Sequence, residues 1–160
     1  GYEVYQYNSK TKKYSKVATV KGTSYTKTGL TTGTSYTFKV RAYTTKSGKT
    51  AYGSYSKEVS AKPALSKVTG VKVKNSSSKA AKVTWKKVSG ASGYEIVRAT
   101  KSNGKFKKVK TITKGSTVTY TNKKLIKKKK YYYKVRAYRK VGKKKVYSSY
   151  SSKVKVTIKK

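Results

Sequence analysis

The chain of 160 residues carries 43 Lys and Arg against 3 acidic residues, with no His and no Cys, for a net charge of +40. That inventory excludes disulfides, thiolate nucleophiles and Cys- or His-based metal sites, and it leaves too few acid–base groups for the usual catalytic constellations. Such a chain repels itself and attracts polyanions, and charge alone does not choose among nucleic acid, anionic lipid and anionic wall polymer.

The apolar content is 34 %, carried by Val, Ala and 17 Tyr, and it falls in periodic register, so the chain reads as all-β rather than disordered. No apolar run approaches the roughly 18 residues of a membrane-spanning helix. The charge is uneven: residues 1–63 hold +10 and residues 64–160 hold +30.

Taken in order, the first part predicts strands near 2–7, 15–20, 24–28, 35–43 and 51–60, separated by turn signals such as Asn8-Ser9-Lys10, Lys21-Gly22 and Ser47-Gly48. Lys62-Pro63-Ala64 reads as a linker, because proline ends strand pairing. Two strands without a counterpart in the first part follow, near 69–74 and 80–86, joined by a turn at Asn75. Five more are predicted near 93–99, 107–112, 117–121, 131–139 and 145–158.

These five repeat the first part. Gly1-Tyr2-Glu3-Val4 corresponds to Gly93-Tyr94-Glu95-Ile96 at an offset of 92 residues. From Leu30 and Leu125 onward the offset is 95, and three extra residues fall near Lys114-Gly115-Ser116. The best-preserved element is an alternating strand. Tyr36, Phe38, Val40 and Ala42 point one way, as do Tyr131, Tyr133, Val135 and Ala137 in the second copy. A period of 92–95 residues is too long for a solenoid unit and matches a whole seven-stranded sandwich.

Val83-Thr84-Trp85, then Gly93-Tyr94-Glu95-Ile96, then Leu125 with Tyr131 and Tyr133-Lys134-Val135-Arg136-Ala137, resemble a fibronectin type III domain. The resemblance implies an all-β fold of immunoglobulin-like sandwiches in tandem, the first lacking its two N-terminal strands. The expected boundaries are a partial domain over 1–62, a linker at 63–66 and a complete domain over 67–160. It also implies that Trp85 and Tyr94 fill the core and that Leu30 with Tyr36, and Leu125 with Tyr131, form a tyrosine corner. The Lys-, Tyr-, Ser- and Thr-rich composition resembles tandem repeats on surface proteins of Gram-positive gut anaerobes. Residues 1–62 alone would leave a sheet edge and a core exposed. The missing strands are therefore expected from an upstream part of the same protein or from a neighbouring chain.

Glu3 and Glu95 occupy matching outward, exposed positions, where they are expected to form cross-strand ion pairs with Lys39 or Arg41 and with Lys134 or Arg136. Glu58, matched by Lys153, reads as a solvated charge. Catalysis, cofactors and a Lys–Asn isopeptide link are not expected. The candidate ligand face interleaves Tyr with cations, which grips polymers by stacking and charge: Tyr5, Tyr7, Lys39, Arg41 and Tyr43, and then Tyr132, Lys134, Arg136 and Tyr138. The favoured reading of the same residues is an ordinary solvent face, since every β-sandwich must show one. Two denser basic loops, Lys127, Lys128, Lys129 and Lys130, and Lys143, Lys144 and Lys145, fall at opposite ends of one strand.

The leading expectation is a non-catalytic extracellular, secreted or wall-associated spacer or adhesive stalk. Its polycationic surface would hold anionic wall polymers, and it needs no membrane span. The alternatives are binding of extracellular DNA by phosphate neutralisation, an accessory module of a larger secreted enzyme, and a strand-complemented filament subunit.

Overall fold

The computed structural model describes residues 1–159. Two compact units divide between Pro63 and Ala64.

The second unit is a complete sandwich. One sheet pairs β6 (Lys72–Ser77), β7 (Ala80–Thr84) and β10 (Thr119–Asn122), with β7 in the middle. The other runs β12 (Lys144–Tyr147), β11 (Lys130–Val141), β8 (Gly93–Ala99), β9 (Lys107–Ile112), and β13 (Val154–Thr157) also pairs β11. Alternation drives the inner faces together. Ala81 and Val83 of the small sheet and Ile96, Tyr133 and Val135 of the large one are fully buried, and Trp85 packs at 5.2 Å from Tyr94. Burying these side chains supplies the main driving force for folding.

The first unit is a single five-stranded sheet. Its path is β2 (Lys13–Val20), β1 (Tyr2–Asn8), β3 (Tyr36–Lys46) and β4 (Lys49–Tyr52), with β5 (Val59–Ala61) also on β3. Registers repeat between the units: Glu3 faces Arg41 as Glu95 faces Arg136. The cover does not repeat. Phe38 and Val40 are half-buried, whereas their counterparts Tyr133 and Val135 are fully buried.

The strand expected at 24–28 is absent; these residues form an exposed, irregular segment. The reason lies in pairing. The corresponding β10 is held only by β7, and the first unit has no equivalent of β7. A backbone without a ladder partner does not make a strand, whatever its side-chain propensity.

The strands expected at 51–60 and 145–158 are each broken in two. At the break in the second unit the Ser148 and Ser151 hydroxyls accept hydrogen bonds from Ala137 N–H and Val135 N–H, both at 3.0 Å. Their own N–H groups return to the carbonyls of Ala137 and Val135. Serine side chains thus replace a strand's carbonyls while the chain kinks.

Candidate functional site

On the outer face of the second unit, Arg136 Nε and Nη2 donate to Glu95 Oε1 at 2.9 and 2.6 Å. Tyr150 Oη donates to the same oxygen at 2.9 Å. The guanidinium carbon lies 3.8 Å from the Tyr147 ring centroid and 4.5 Å from that of Tyr150. Burial and the Glu95 hydrogen bond push the Tyr150 phenol up to about 12, so it remains a donor at neutral pH.

The first unit builds a related cluster with one more cation, in which Tyr5 rather than Tyr55, the counterpart of Tyr150, bonds the carboxylate. Arg41 Nε and Lys16 Nζ each donate to Glu3 at 2.8 Å, as does Tyr5 Oη. Arg41 stacks 3.8 Å from the Tyr52 ring centroid. The Lys16 hydrogen bond first, then those from Tyr5 and Arg41, lower the Glu3 carboxyl from the ordinary 4.5 to about 2.

The expectation that Glu3 and Glu95 are exposed is therefore corrected. They do point outward and do pair with arginine, but they are 4 % and 6 % accessible because Tyr and Arg side chains roof them. Two of the three acidic residues are locked in these clusters, and Glu58 stands exposed.

Tyr138 is the second correction. Strand alternation puts it on the open ligand face, but it is fully buried, donating to the Ile112 carbonyl at 3.2 Å. Gly93 opposite it has no side chain, so the phenol ring lies in the gap, with Tyr147 packed at 5.9 Å. Tyr43 is half-buried over Gly1 in the same way.

The other face residues separate into neighbourhoods. Lys39 Nζ sits 4.1 Å from the ring centroids of both Tyr14 and Tyr55. Lys134 lies over Phe106, and Lys153 over Tyr132 while donating to Ser102. Tyr7 packs against Tyr14 and keeps 36 % of its surface exposed. The aromatic partners that hold the arginines, Tyr52, Tyr55, Tyr147 and Tyr150, were not among the expected site residues. Their signal was present in the repeated Tyr-x-Ser-Tyr-Ser motif, at 52–56 and 147–151.

The core assignments acquire atoms. Trp85 and Leu125 are buried, and Tyr94 Oη accepts from Val88 N–H at 3.0 Å. Tyr131 Oη accepts from Ile126 N–H at 3.0 Å, and Tyr36 Oη from Thr31 N–H at 2.9 Å, while Leu30 is half-buried. Lys127, Lys128 and Lys129 precede β11, which Lys130 begins. Lys143, Lys144 and Lys145 lie at its far end, about 35 Å away for a strand of that length.

A two-sheet antiparallel sandwich with a buried tryptophan and a tyrosine corner defines an immunoglobulin-like module. Residues 66–154, more than half of the chain, match the fibronectin type III domain. The chain belongs to that family. It is similar to a two-domain fibronectin type III segment of chicken tenascin, at 17 % identity and a TM-score of 0.63, covering 98 % of this chain and 83 % of that one. It is also similar to the FN1–FN3 domains of chicken CNTN1, at 22 % identity and a TM-score of 0.54; all of this chain is covered, but it spans only 56 % of that one. An Fn3-like protein from Clostridium thermocellum is 32 % identical over 58 % of this chain and 90 % of its own, with a TM-score of 0.48. No curated protein matches the chain. Domains of this family are generally non-catalytic structural and interaction modules. Among the described residues no helix is long and apolar enough to cross a membrane.

Proposed function

We propose that the chain is a non-catalytic spacer or adhesive stalk of an extracellular bacterial protein, holding anionic polymers electrostatically. The carrying observation is how its charge is distributed. Two of the three carboxylates, Glu3 and Glu95, and the two outer-face arginines, Arg41 and Arg136, are tied up with each other and with tyrosine rings. Among the described residues, Lys16 alone of the lysines pairs with a carboxylate, and apart from the half-buried Lys39 and Lys134 the lysines of the loops and strand surfaces remain exposed. Lysine is a strongly hydrated point charge that suits loose phosphate contact rather than shaped recognition. The arginine–tyrosine clusters belong to the scaffold, and the lysines are the working surface.

The test is co-sedimentation with Gram-positive cell walls, with and without teichoic acid, across a salt series and against competing duplex DNA. Retention that requires teichoic acid and survives about 0.15 M salt, where exposed charges are screened beyond about 8 Å, supports the reading. Retention that disappears there, or that DNA abolishes equally, overturns it.

A further inference from the structure

The loop before β11 shares one backbone frame with the loop before β3, but the two carry opposite chemistry. Residues 28–35 read Thr-Gly-Leu-Thr-Thr-Gly-Thr-Ser, with no charge, whereas residues 123–130 read Lys-Lys-Leu-Ile-Lys-Lys-Lys-Lys, with six lysines in eight positions. The frame is fixed in the same way in both. The corner tyrosine accepts from the residue after the leucine, at Thr31 and at Ile126. Gly33 N–H donates to the Pro63 carbonyl as Lys128 N–H donates to that of Ile158, both at 2.8 Å.

Two positions of this frame require a left-handed backbone. In the first unit they are glycines, Gly29 at φ 73° and Gly33 at φ 81°. In the second they are Lys124 at φ 57° and Lys128 at φ 60°. Left-handed conformation is unfavourable for residues with a Cβ and free for glycine. The second unit therefore places cations at both positions where local stability favours glycine. Strain of this kind clusters at functional sites, and here it carries charge, whereas the equivalent exchange between Ser47 and Gly142 carries none.

From this we infer that the 123–130 loop is the principal anchor for a phosphate-bearing polymer, a proposal that rests on the polyanion reading above. All six lysines are exposed while Leu125, at 3 % accessibility, plugs the loop into the core. Leu125 N–H donates to Lys79 O, and Ile158 N–H to Lys129 O, so the backbone is tied on both sides. The cations are thus displayed on a pre-ordered frame, and binding orders only their side chains. The loop lines only a wide-open depression, together with Lys79, which suits an extended chain bearing a phosphate at each repeat more than one small enclosed anion.

The test compares binding of the full chain to long-chain inorganic polyphosphate with that of two charge-matched variants. One grafts the first unit's loop onto 123–130. The other replaces six exposed strand lysines, Lys72, Lys74, Lys82, Lys107, Lys108 and Lys110, by Thr. Fluorescence of Trp85 verifies folding of each. At about 0.15 M salt the graft is expected to lose about ten-fold more affinity than the strand variant, with a shallower dependence of log K on log salt. Equal losses overturn the proposal and leave the general polyanion reading standing, while a wild-type chain that binds no phosphate polymer at that salt sinks that reading itself. Stronger binding to phosphatidylglycerol vesicles than to polyphosphate also overturns the proposal, by moving the occupant from polymer to lipid. A milder variant, Lys124→Gly with Lys128→Gly, guards against a graft that fails to fold. It is expected to melt no lower than wild type yet bind about three-fold more weakly, since two contacts of a multivalent set are lost. Unchanged binding counts against the loop.

Discussion

The guanidinium carbon of Arg136 lies 3.8 Å from the Tyr147 ring centroid, so one face of the arginine is capped while its edge is held by Glu95. The hydrogen-bonding edge that a ligand would need is thus already occupied. Arg136→Met would leave the Glu95 carboxylate roofed over with only a tyrosine hydroxyl for company. Removing one member of a buried pair typically costs 3–5 kcal/mol, and because Arg136 retains some solvent contact, a loss of about 2–3 kcal/mol is expected. Chemical denaturation followed at Trp85, the chain's one tryptophan, reads the second unit specifically. Affinity for polyphosphate is expected to change less than two-fold, on the order of the experimental error of such measurements, because this charge is already neutralised. A large loss of affinity with intact stability would return the arginine to the binding surface.

The first unit's cluster predicts a pH response. Glu3 titrates at about 2 instead of 4.5 because Lys16, Tyr5 and Arg41 bond its ionised form. A carboxylate with a lowered folded-state pKa contributes stability that is fully present above 4.5 and is lost as pH falls through 2. The Glu3 side-chain carboxyl resonance should therefore titrate near 2 in the intact chain. Lys16→Met removes the largest cause and should move the Glu3 midpoint back toward 4.5. A Glu3 midpoint at 4.5 in the wild-type chain would mean that the cluster does not persist in solution.

The tyrosine corner gives a third expectation. Tyr131 is 4 % accessible, and its oxygen accepts the Ile126 N–H, a donor that would otherwise be left without a partner. Tyr131→Phe should destabilise the second unit by about 1 kcal/mol or more. Tyr36→Phe should cost less, since Tyr36 is only half-buried and the opened group can reach water. Thermal melts monitored at Trp85 for the first variant and amide exchange at Thr31 for the second check the pair. An unchanged melt for Tyr131→Phe would show that the corner bond adds nothing to stability.

Alternation in the sequence was enough to put Glu3 on one face with Lys39 and Arg41, and Glu95 with Lys134 and Arg136, since side-chain parity follows from the strand period of two. Which cation stands opposite is set by the strand register, and it is Arg41 and Arg136. Parity assigns a face, however, and does not say whether that face is covered. Glu95 and Tyr138 point outward as their positions require, yet both are buried. Their covers, Tyr147 and Tyr150, arrive from a strand more than fifty residues beyond Glu95, broken by the Ser148 and Ser151 hydrogen bonds. Propensity failed for a different reason at 24–28, where Ser24-Tyr25-Thr26-Lys27-Thr28 had no ladder to join. The left-handed lysines were invisible to pattern reading, because nothing in a lysine run announces a positive φ.

Gly93 supplies the last prediction. It sits at the start of β8 opposite Tyr138, and a Cβ built there would lie 2.0 Å from the Ile112 carbonyl oxygen and 2.7 Å from Tyr138 Oη. The first obstacle is backbone in the adjacent strand, which cannot rotate aside, and the second is a buried ring with its own hydrogen bond to that same carbonyl. Relief requires β8 and β9 to separate at their first pair, Tyr94 with Ile112, next to the core. Overpacking of this kind costs typically 1–3 kcal/mol, and the rigid obstacle places Gly93→Ala near the top, at about 3 kcal/mol. Repeating Gly93→Ala in a Tyr138→Leu background separates the two causes, because leucine removes both the hydroxyl and the ring carbon that lies 2.8 Å from that Cβ. If the ring were the main obstacle, Gly93→Ala would cost little in that background; if the Ile112 carbonyl is, as the shorter distance argues, it costs about as much there as in the wild-type chain. Denaturation followed at Trp85 distinguishes the two, and a Gly93→Ala chain as stable as wild type would mean that β8 and β9 are not joined in this register.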